Sequence, residues 1–248
     1  MNDITDTPRT ARPAAVSDDA HAGPCTGLHL DALRIRLGAT TLVALDTLIA
    51  PGEVLSVMGP SGSGKSTLLN QIIGAPAPAF QSDGQVRLDG QDLTGMGPQA
   101  RHIGLLFQDD LLFPHMSVGS NLAFALPAGL RGRRARRAAV EAALAEAGMP
   151  GYADRDPATL SGGQRSRVAL MRTLLSAPRA LLLDEPFSRL DADLRRTMRD
   201  LVFGEVRRRR LPTLLVTHDR EDAQAAGGRI LDPLGRPVAP PADGDPGP

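Results

Sequence analysis

The 248-residue chain has one cysteine, one lysine, one tyrosine and no tryptophan. A lone Cys25 excludes an internal disulfide framework and a cysteine-built zinc site. Net charge is absent as well, because 28 basic residues balance 28 acidic ones. With aromatics at only 3%, little is left to grip a nucleic acid, and none is expected as a partner. No apolar run approaches a membrane span of about 18 residues. The start, MNDITDTPRTARPAAVSDDA, carries no apolar h-region, so no secretory signal is expected. What is present is ordinary globular composition, 42% apolar and 23% charged, which excludes a chain disordered throughout.

Organisation follows from composition along the chain. Residues 1–27 are rich in Pro, Thr, Asp and Ala without apolar periodicity and read as a flexible arm. Residues 233–248, with six prolines, read as a flexible tail. Between them, short apolar runs end in turn signals: EVLSVMG (53–59), GLLFQ (104–108), ALLLDEP (180–186) and TLLVTHD (213–219). Such runs suit buried parallel strands. Helical patterns follow near 65–73, 192–210 and 219–226, so the fold is expected to be α/β. The stretch 118–175 has no convincing strand and includes the helix-like RRARRAAVEAALAEAG (133–148). It reads as a helical insert. The division expected is a core over 28–107 and 176–232, with a helical subdomain at 108–175.

Gly59-Pro60-Ser61-Gly62-Ser63-Gly64-Lys65-Ser66, followed by Thr67, fits the phosphate-loop pattern G-x-x-x-x-G-K-[ST]. It lies between a strand pattern and a helix pattern, the context that the motif requires. Its glycines let backbone N–H groups converge on phosphate oxygens, and the helix N-terminus adds positive potential. Lys65 is expected to reach the β- and γ-phosphates and the Ser66 hydroxyl to ligate Mg²⁺. Leu181-Leu182-Leu183-Asp184-Glu185 is a strand ending in two carboxylates, where ligands of open α/β sheets sit. Beside a phosphate loop, Asp184 is suited to hold Mg²⁺ and Glu185 to polarise an attacking water.

Leu160-Ser161-Gly162-Gly163-Gln164 lies between those two motifs. The ordered set resembles the ATP-binding subunits of ABC transporters over roughly residues 28–232. Gln108 resembles the glutamine loop of that family, His218 the switch histidine and Asp191 the D-loop aspartate. The resemblance implies a P-loop NTPase core of the RecA-like kind and an ATPase that uses ATP and Mg²⁺, with Gln108 near the metal and His218 holding the γ-phosphate and water in line. It also implies a homodimer with two ATP molecules at its interface. There Ser161, Gly162, Gly163 and Gln164 of one copy, with Asp191, face the phosphate loop of the other. The sequences GPSGSGKSTLL, LLFQDDLLFPHMSVGSNLAFALP and DPATLSGGQRSRVALMRTLLSAP look like the bacterial importer type. Ile73-Gly74-Ala75 and DEPFSRLDADLR are similar to its YnjD-type subgroup. That implies an integral-membrane permease, an extracytoplasmic solute-binding protein and a place at the cytoplasmic face of the inner membrane. An exporter ATPase is the alternative. A non-transport ABC ATPase would need a long coiled coil or a second cassette, and a small-molecule kinase would lack LSGGQ.

Five features depart from the family or stay open. The aromatic residue that stacks on adenine is missing: Leu37, in Leu33-Arg34-Ile35-Arg36-Leu37-Gly38, takes that place. Weaker adenine discrimination is expected. Arg189 stands where the D-loop commonly has a small residue; it either contacts a partner or phosphate or simply faces solvent. Leu111-Leu112-Phe113-Pro114 is either a docking surface for a permease helix or a buried loop. The clusters Arg131–Arg137 and Arg207–Arg210 read better as solvated helix faces than as lipid or nucleic-acid sites. The chain after His218 is short, and no C-terminal regulatory domain is expected there.

Overall fold

The computed structural model describes residues 26–238. Five parallel strands form its central sheet: β3 (Val54–Met58), β6 (Ile103–Leu106), β7 (Ala180–Asp184), β8 (Thr213–Thr217) and β9 (Ile230–Leu231). Their spatial order is β6-β7-β8-β3-β9. The four runs that sequence reads as strands are thus strands, and each is followed by helix or by a loop that leads to one. Strand β7 explains why such runs are apolar without a break. Ala180 and Leu182 enter one hydrophobic cluster and Leu181 and Leu183 the other, so both faces of the strand are covered.

A second sheet is not legible in the four apolar runs. Strands β1 (Leu28–Leu37), β2 (Thr40–Ile49), β4 (Gln81–Leu88) and β5 (Gln91–Asp92) form an antiparallel sheet in the order β2-β1-β4-β5. In β1, Leu28, Leu30, Leu33 and Ile35 all point into the core. Their alternation is interrupted because the register shifts between Leu30 and Leu33, with Ala32 at φ 46. One extra residue at a bulge resets the period of two and disguises the strand. This sheet packs with the helix α1 (Lys65–Ile73) over one face of the parallel sheet, through Leu28, Val43, Leu68 and Ile72.

The other face is covered by helices. Between β6 and β7 the chain runs through α3 (Val118–Phe124), α4 (Arg133–Glu146), a one-turn 3-10 helix (Pro157–Thr159) and α5 (Gly162–Leu175), with no strand. These helices do not have a core of their own. Leu122, Leu144 and Leu170 join Leu106, Leu183 and Leu215 of the sheet and Val202 of α6 (Ala192–Arg209) in one apolar cluster. The short helices α2 (Pro98–Arg101) and α7 (Arg220–Ala226) complete the set. No described helix is long and apolar enough to cross a membrane.

One boundary needs correction. Residues 233–238, assigned to a flexible tail from their prolines, fold back on the core. Asp232 Oδ1 accepts hydrogen bonds from the Leu234 and Arg236 amides at 2.9 and 2.8 Å, and Leu231 bridges to Pro237. The Pro233 carbonyl accepts from Ala44 of β2 at 2.8 Å. Asp-Pro-Leu-Gly is a turn-forming sequence, and here the turn decides rather than the proline count. The arm through residue 25, with Cys25, and the tail beyond residue 238 lie outside the described residues.

Candidate functional site

Strand β3 ends at Met58, and the next six residues form a loop that enters α1. Gly62 and Gly64 hold φ of 81° and 93°, a backbone that a side chain would strain. Gly64 is the N-cap of α1 and offers no side-chain cap, so the first N–H groups of the helix stay free for an anion. Lys65 is buried at 6% exposure and bends back over the loop. Its Nζ donates to the Gly59 and Pro60 carbonyls at 2.8 and 3.1 Å. Ser63 closes the turn through its amide to the Pro60 carbonyl at 3.3 Å.

Two other strand ends meet Lys65. Glu185, just past β7, lies with Oε1 3.7 Å from Lys65 Nζ and Oε2 3.1 Å from His218 Nδ1. His218 follows β8, which is why the two meet: β7 and β8 are adjacent and parallel, with Asp184 beside Val216. Glu185 is held at φ 46. Its amide donates to the Val216 carbonyl at 3.0 Å, and its carbonyl accepts from the Ser188 hydroxyl at 2.9 Å. A non-glycine residue in that region stores strain of about 1–3 kcal/mol and is over-represented at functional sites. The Asp184 carboxyl is pushed above the usual carboxylate range, first by burial and then by the Glu185 charge, with Lys65 opposing.

Lys65, Asp184 and Glu185 line one cleft of about 510 Å³, and His218 reaches it through its contact with Glu185. Ser61, Gly62, Gly64, Ser66 and Thr67 line it from the phosphate loop, and exposed Gln108 enters from the end of β6. Gly59, Pro60 and Ser63 do not line the cleft but take part in the hydrogen bonds that shape its loop. Ser66, Gln108 and Asp184 together offer a hydroxyl, an amide oxygen and a carboxylate, the hard donors that Mg²⁺ prefers. Two adjacent carboxylates beside a single ammonium leave an electrostatic place for a divalent cation. Leu37 also lines this cleft, 48% exposed, with Leu42 and Phe80. Phe80 is a residue that local spacing does not reveal.

The remaining predicted residues lie elsewhere in the chain. Ser161, Gly162, Gly163 and Asp191 line a separate groove, together with Arg189 and Leu194. Ser161 is the N-cap of α5. Its hydroxyl accepts from the Gln164 amide at 3.3 Å, and Gln164 Oε1 accepts from the Ser161 amide at 3.0 Å. Asp191 caps α6 by accepting from the Leu194 amide at 3.0 Å. No residue lines both the groove and the cleft.

Arg189 does not simply face solvent: it pairs with Asp109, next to Gln108. Asp110 in turn accepts from the Ser166 hydroxyl of α5 at 2.8 Å. The Leu111–Pro114 segment divides between its two readings. Leu112 packs on the core, while Leu111 is 54% exposed. Phe113 meets Phe124 edge to face at 5.0 Å, and Phe124 is 68% exposed. Of the arginine clusters, Arg136 donates to the Ala123 and Leu130 carbonyls, and Arg209 pairs with Glu146 and Glu205. They act within the helical layer.

Residues 42–188 match the family described as ABC transporter. The chain belongs to that family. It is similar to the uncharacterised ABC transporter ATP-binding protein YnjD of Escherichia coli (strain K12), with 52% identity over 191 residues, 77% of this chain and 87% of that protein. It is 45% identical to the thiamine import ATP-binding protein ThiQ of Cereibacter sphaeroides over 214 residues, 86% of this chain and 91% of that one. It is 41% identical to the Fe(3+) ions import ATP-binding protein FbpC of E. coli (strain K12) over 197 residues, 79% of this chain and 56% of that protein. As an ATP-binding subunit of an ABC transporter, this chain is an ATPase that energises transport. The YnjD-type resemblance carried by residues 73–75 and by the run from Asp184 agrees with these identities.

Proposed function

We propose that this ATPase drives a bacterial importer as a Mg²⁺-dependent homodimer at the cytoplasmic face of the inner membrane. The observation that carries the site is the contact of Glu185 with both Lys65 and His218 at the mouth of the phosphate loop. When ATP enters, the first amides of α1 bind phosphate oxygens, and Lys65 turns from the Gly59 and Pro60 carbonyls to the β- and γ-phosphates. Glu185 takes a proton from the attacking water, and His218 orients both the carboxylate and the γ-phosphate. Ser66, Asp184 and Gln108 are the residues for Mg²⁺, which when bound supplies further neutralisation of phosphate charge.

The second half of the site comes from the facing copy. Gly162 and Gly163 open α5 and present N–H groups at a helix N-terminus, the Ser161–Gln164 capping box holds that end in place, and Asp191 borders the same groove. Their separation from the cleft within one chain supports a head-to-tail dimer. Relatives named as import ATP-binding proteins support a permease pair and an extracytoplasmic solute-binding protein as partners. Leu111, Phe113 and Phe124, beside the loop that carries Gln108, are the surface proposed for the permease. Glu185→Gln tests the chemical assignment. Nucleotide binding should persist while phosphate release falls by roughly 10²–10⁴-fold. Steady-state turnover at the wild-type rate would remove Glu185 from its role.

A further inference from the structure

The cleft has an apolar end that the phosphate chemistry does not use. Its volume, about 510 Å³, is that of a small-molecule site, and Leu37, Leu42 and Phe80 wall one part of it. Leu42 belongs to the layer that touches the phosphate loop: a Cβ built on Gly64 would stand 3.0 Å from Leu42 Cβ. Phe80 arrives from a different element. Strand β4 runs antiparallel to β1 with Arg36 opposite Gln81, which brings the residue before β4 alongside Leu37 at the end of β1. A tight turn, with the Phe80 amide donating to the Ala77 carbonyl at 3.1 Å, fixes the approach. Pro76 and Pro78 stiffen it. Phe80 is half-buried and packs on the apolar cluster that includes Leu69 and Ile72, while residues 75–79 before it are exposed.

Phe80 is the one aromatic residue among those lining the cleft. The chain has six phenylalanines and one tyrosine, so an aromatic at a nucleotide pocket is not an accident of abundance. A nucleobase gains from an aromatic face regardless of its identity, because every base has a π-face. Leu37 supplies hydrocarbon but no such face. We propose that Phe80, from the turn before β4, is the base-contacting residue of this ATPase, replacing an aromatic on β1, with Leu37 and Leu42 completing the apolar wall.

The inference rests on the phosphate loop binding ATP, so the test separates base from phosphates. Binding of β,γ-imido-ATP and of inorganic tripolyphosphate to the full-length protein is measured by calorimetry. Phe80→Ala should weaken the nucleotide about 5- to 150-fold, the effect of removing a base-stacking aromatic, and leave tripolyphosphate unchanged. Phe80→Trp should bind the nucleotide at least as tightly as wild type. Phe80→Leu keeps the apolar volume and serves the same comparison if the alanine variant does not fold. Nucleotide affinity unchanged in Phe80→Ala or Phe80→Leu would overturn the assignment, as would an equal loss for tripolyphosphate. A wild-type protein that binds neither probe would overturn the phosphate-loop reading together with it.

Discussion

Lys65 is the single lysine among 28 basic residues, and it occupies the one position where a planar guanidinium would not serve. Its Nζ fits between two backbone carbonyls and a carboxylate within a buried loop. At this scale the site was readable wherever chemistry follows local spacing. The phosphate loop, Asp184 and Glu185 each sit in a short contiguous motif, and the order of strands then brings His218 to Glu185. The base end of the cleft was not readable, because Phe80 reaches Leu37 through strand register and not through proximity along the chain. Its composition carries a consequence for specificity. Leu37, Leu42 and Phe80 bear no donor or acceptor for the edge of a purine, and stacking alone is sequence-tolerant. GTP should therefore bind within about tenfold of ATP, since base stacking discriminates poorly between purines. Competition measurements with the two nucleotides check this, and a hundredfold preference for ATP would refute it.

The elements divide into those that announce themselves and those that are disguised. Strands β3, β6, β7 and β8 are buried on both faces, and each reads as an apolar run closed by a turn. Strand β1 is buried on one face and carries a bulge at Ala32, so its period of two breaks midway. The turn at Asp232–Gly235 was hidden for another reason, its prolines outweighing an aspartate that caps two amides. Helices α5 and α6 meet more tightly than sequence suggests. A Cβ built on Gly163 would lie 2.3 Å from a Leu194 methyl group, so the start of α5 rests directly on α6. Gly163→Ala should thus force the two helices apart and destabilise the fold by about 1–3 kcal/mol, the cost of overpacking. The same displacement moves Ser161 and Gly162. ATP hydrolysis should fall further than ATP affinity, because the phosphate loop is remote from the contact. Thermal unfolding, nucleotide titration and phosphate release measure the three quantities. A variant with wild-type stability would show that Leu194 yields without cost.

For the molecule as a whole, the cleft and the groove share no lining residue, and the proposed dimer makes them two halves of one site. The cleft has the lysine, the carboxylates and the apolar wall. The groove has the free end of α5 and Asp191, which caps α6. In the proposed dimer a two-fold axis would join them in the economical way, since each groove would then face the other copy's cleft and the contact would be repeated twice. Charge favours this arrangement only with nucleotide present. A chain of zero formal net charge has no overall repulsion to overcome, and the phosphates of ATP would be gripped from both sides. Glu185→Gln protein, which binds ATP without consuming it, should therefore run at the mass of one chain without nucleotide and of two chains with ATP and Mg²⁺. Light scattering after size exclusion reads the mass directly. Adding Ser161→Arg to that protein places a bulky cation at the mouth of the groove, far from the lysine and carboxylates of its own cleft. The double variant should still bind ATP, yet remain a monomer. A Glu185→Gln protein saturated with ATP and still monomeric would refute the dimer, whereas a double variant that dimerises normally would show that the groove is not the facing surface.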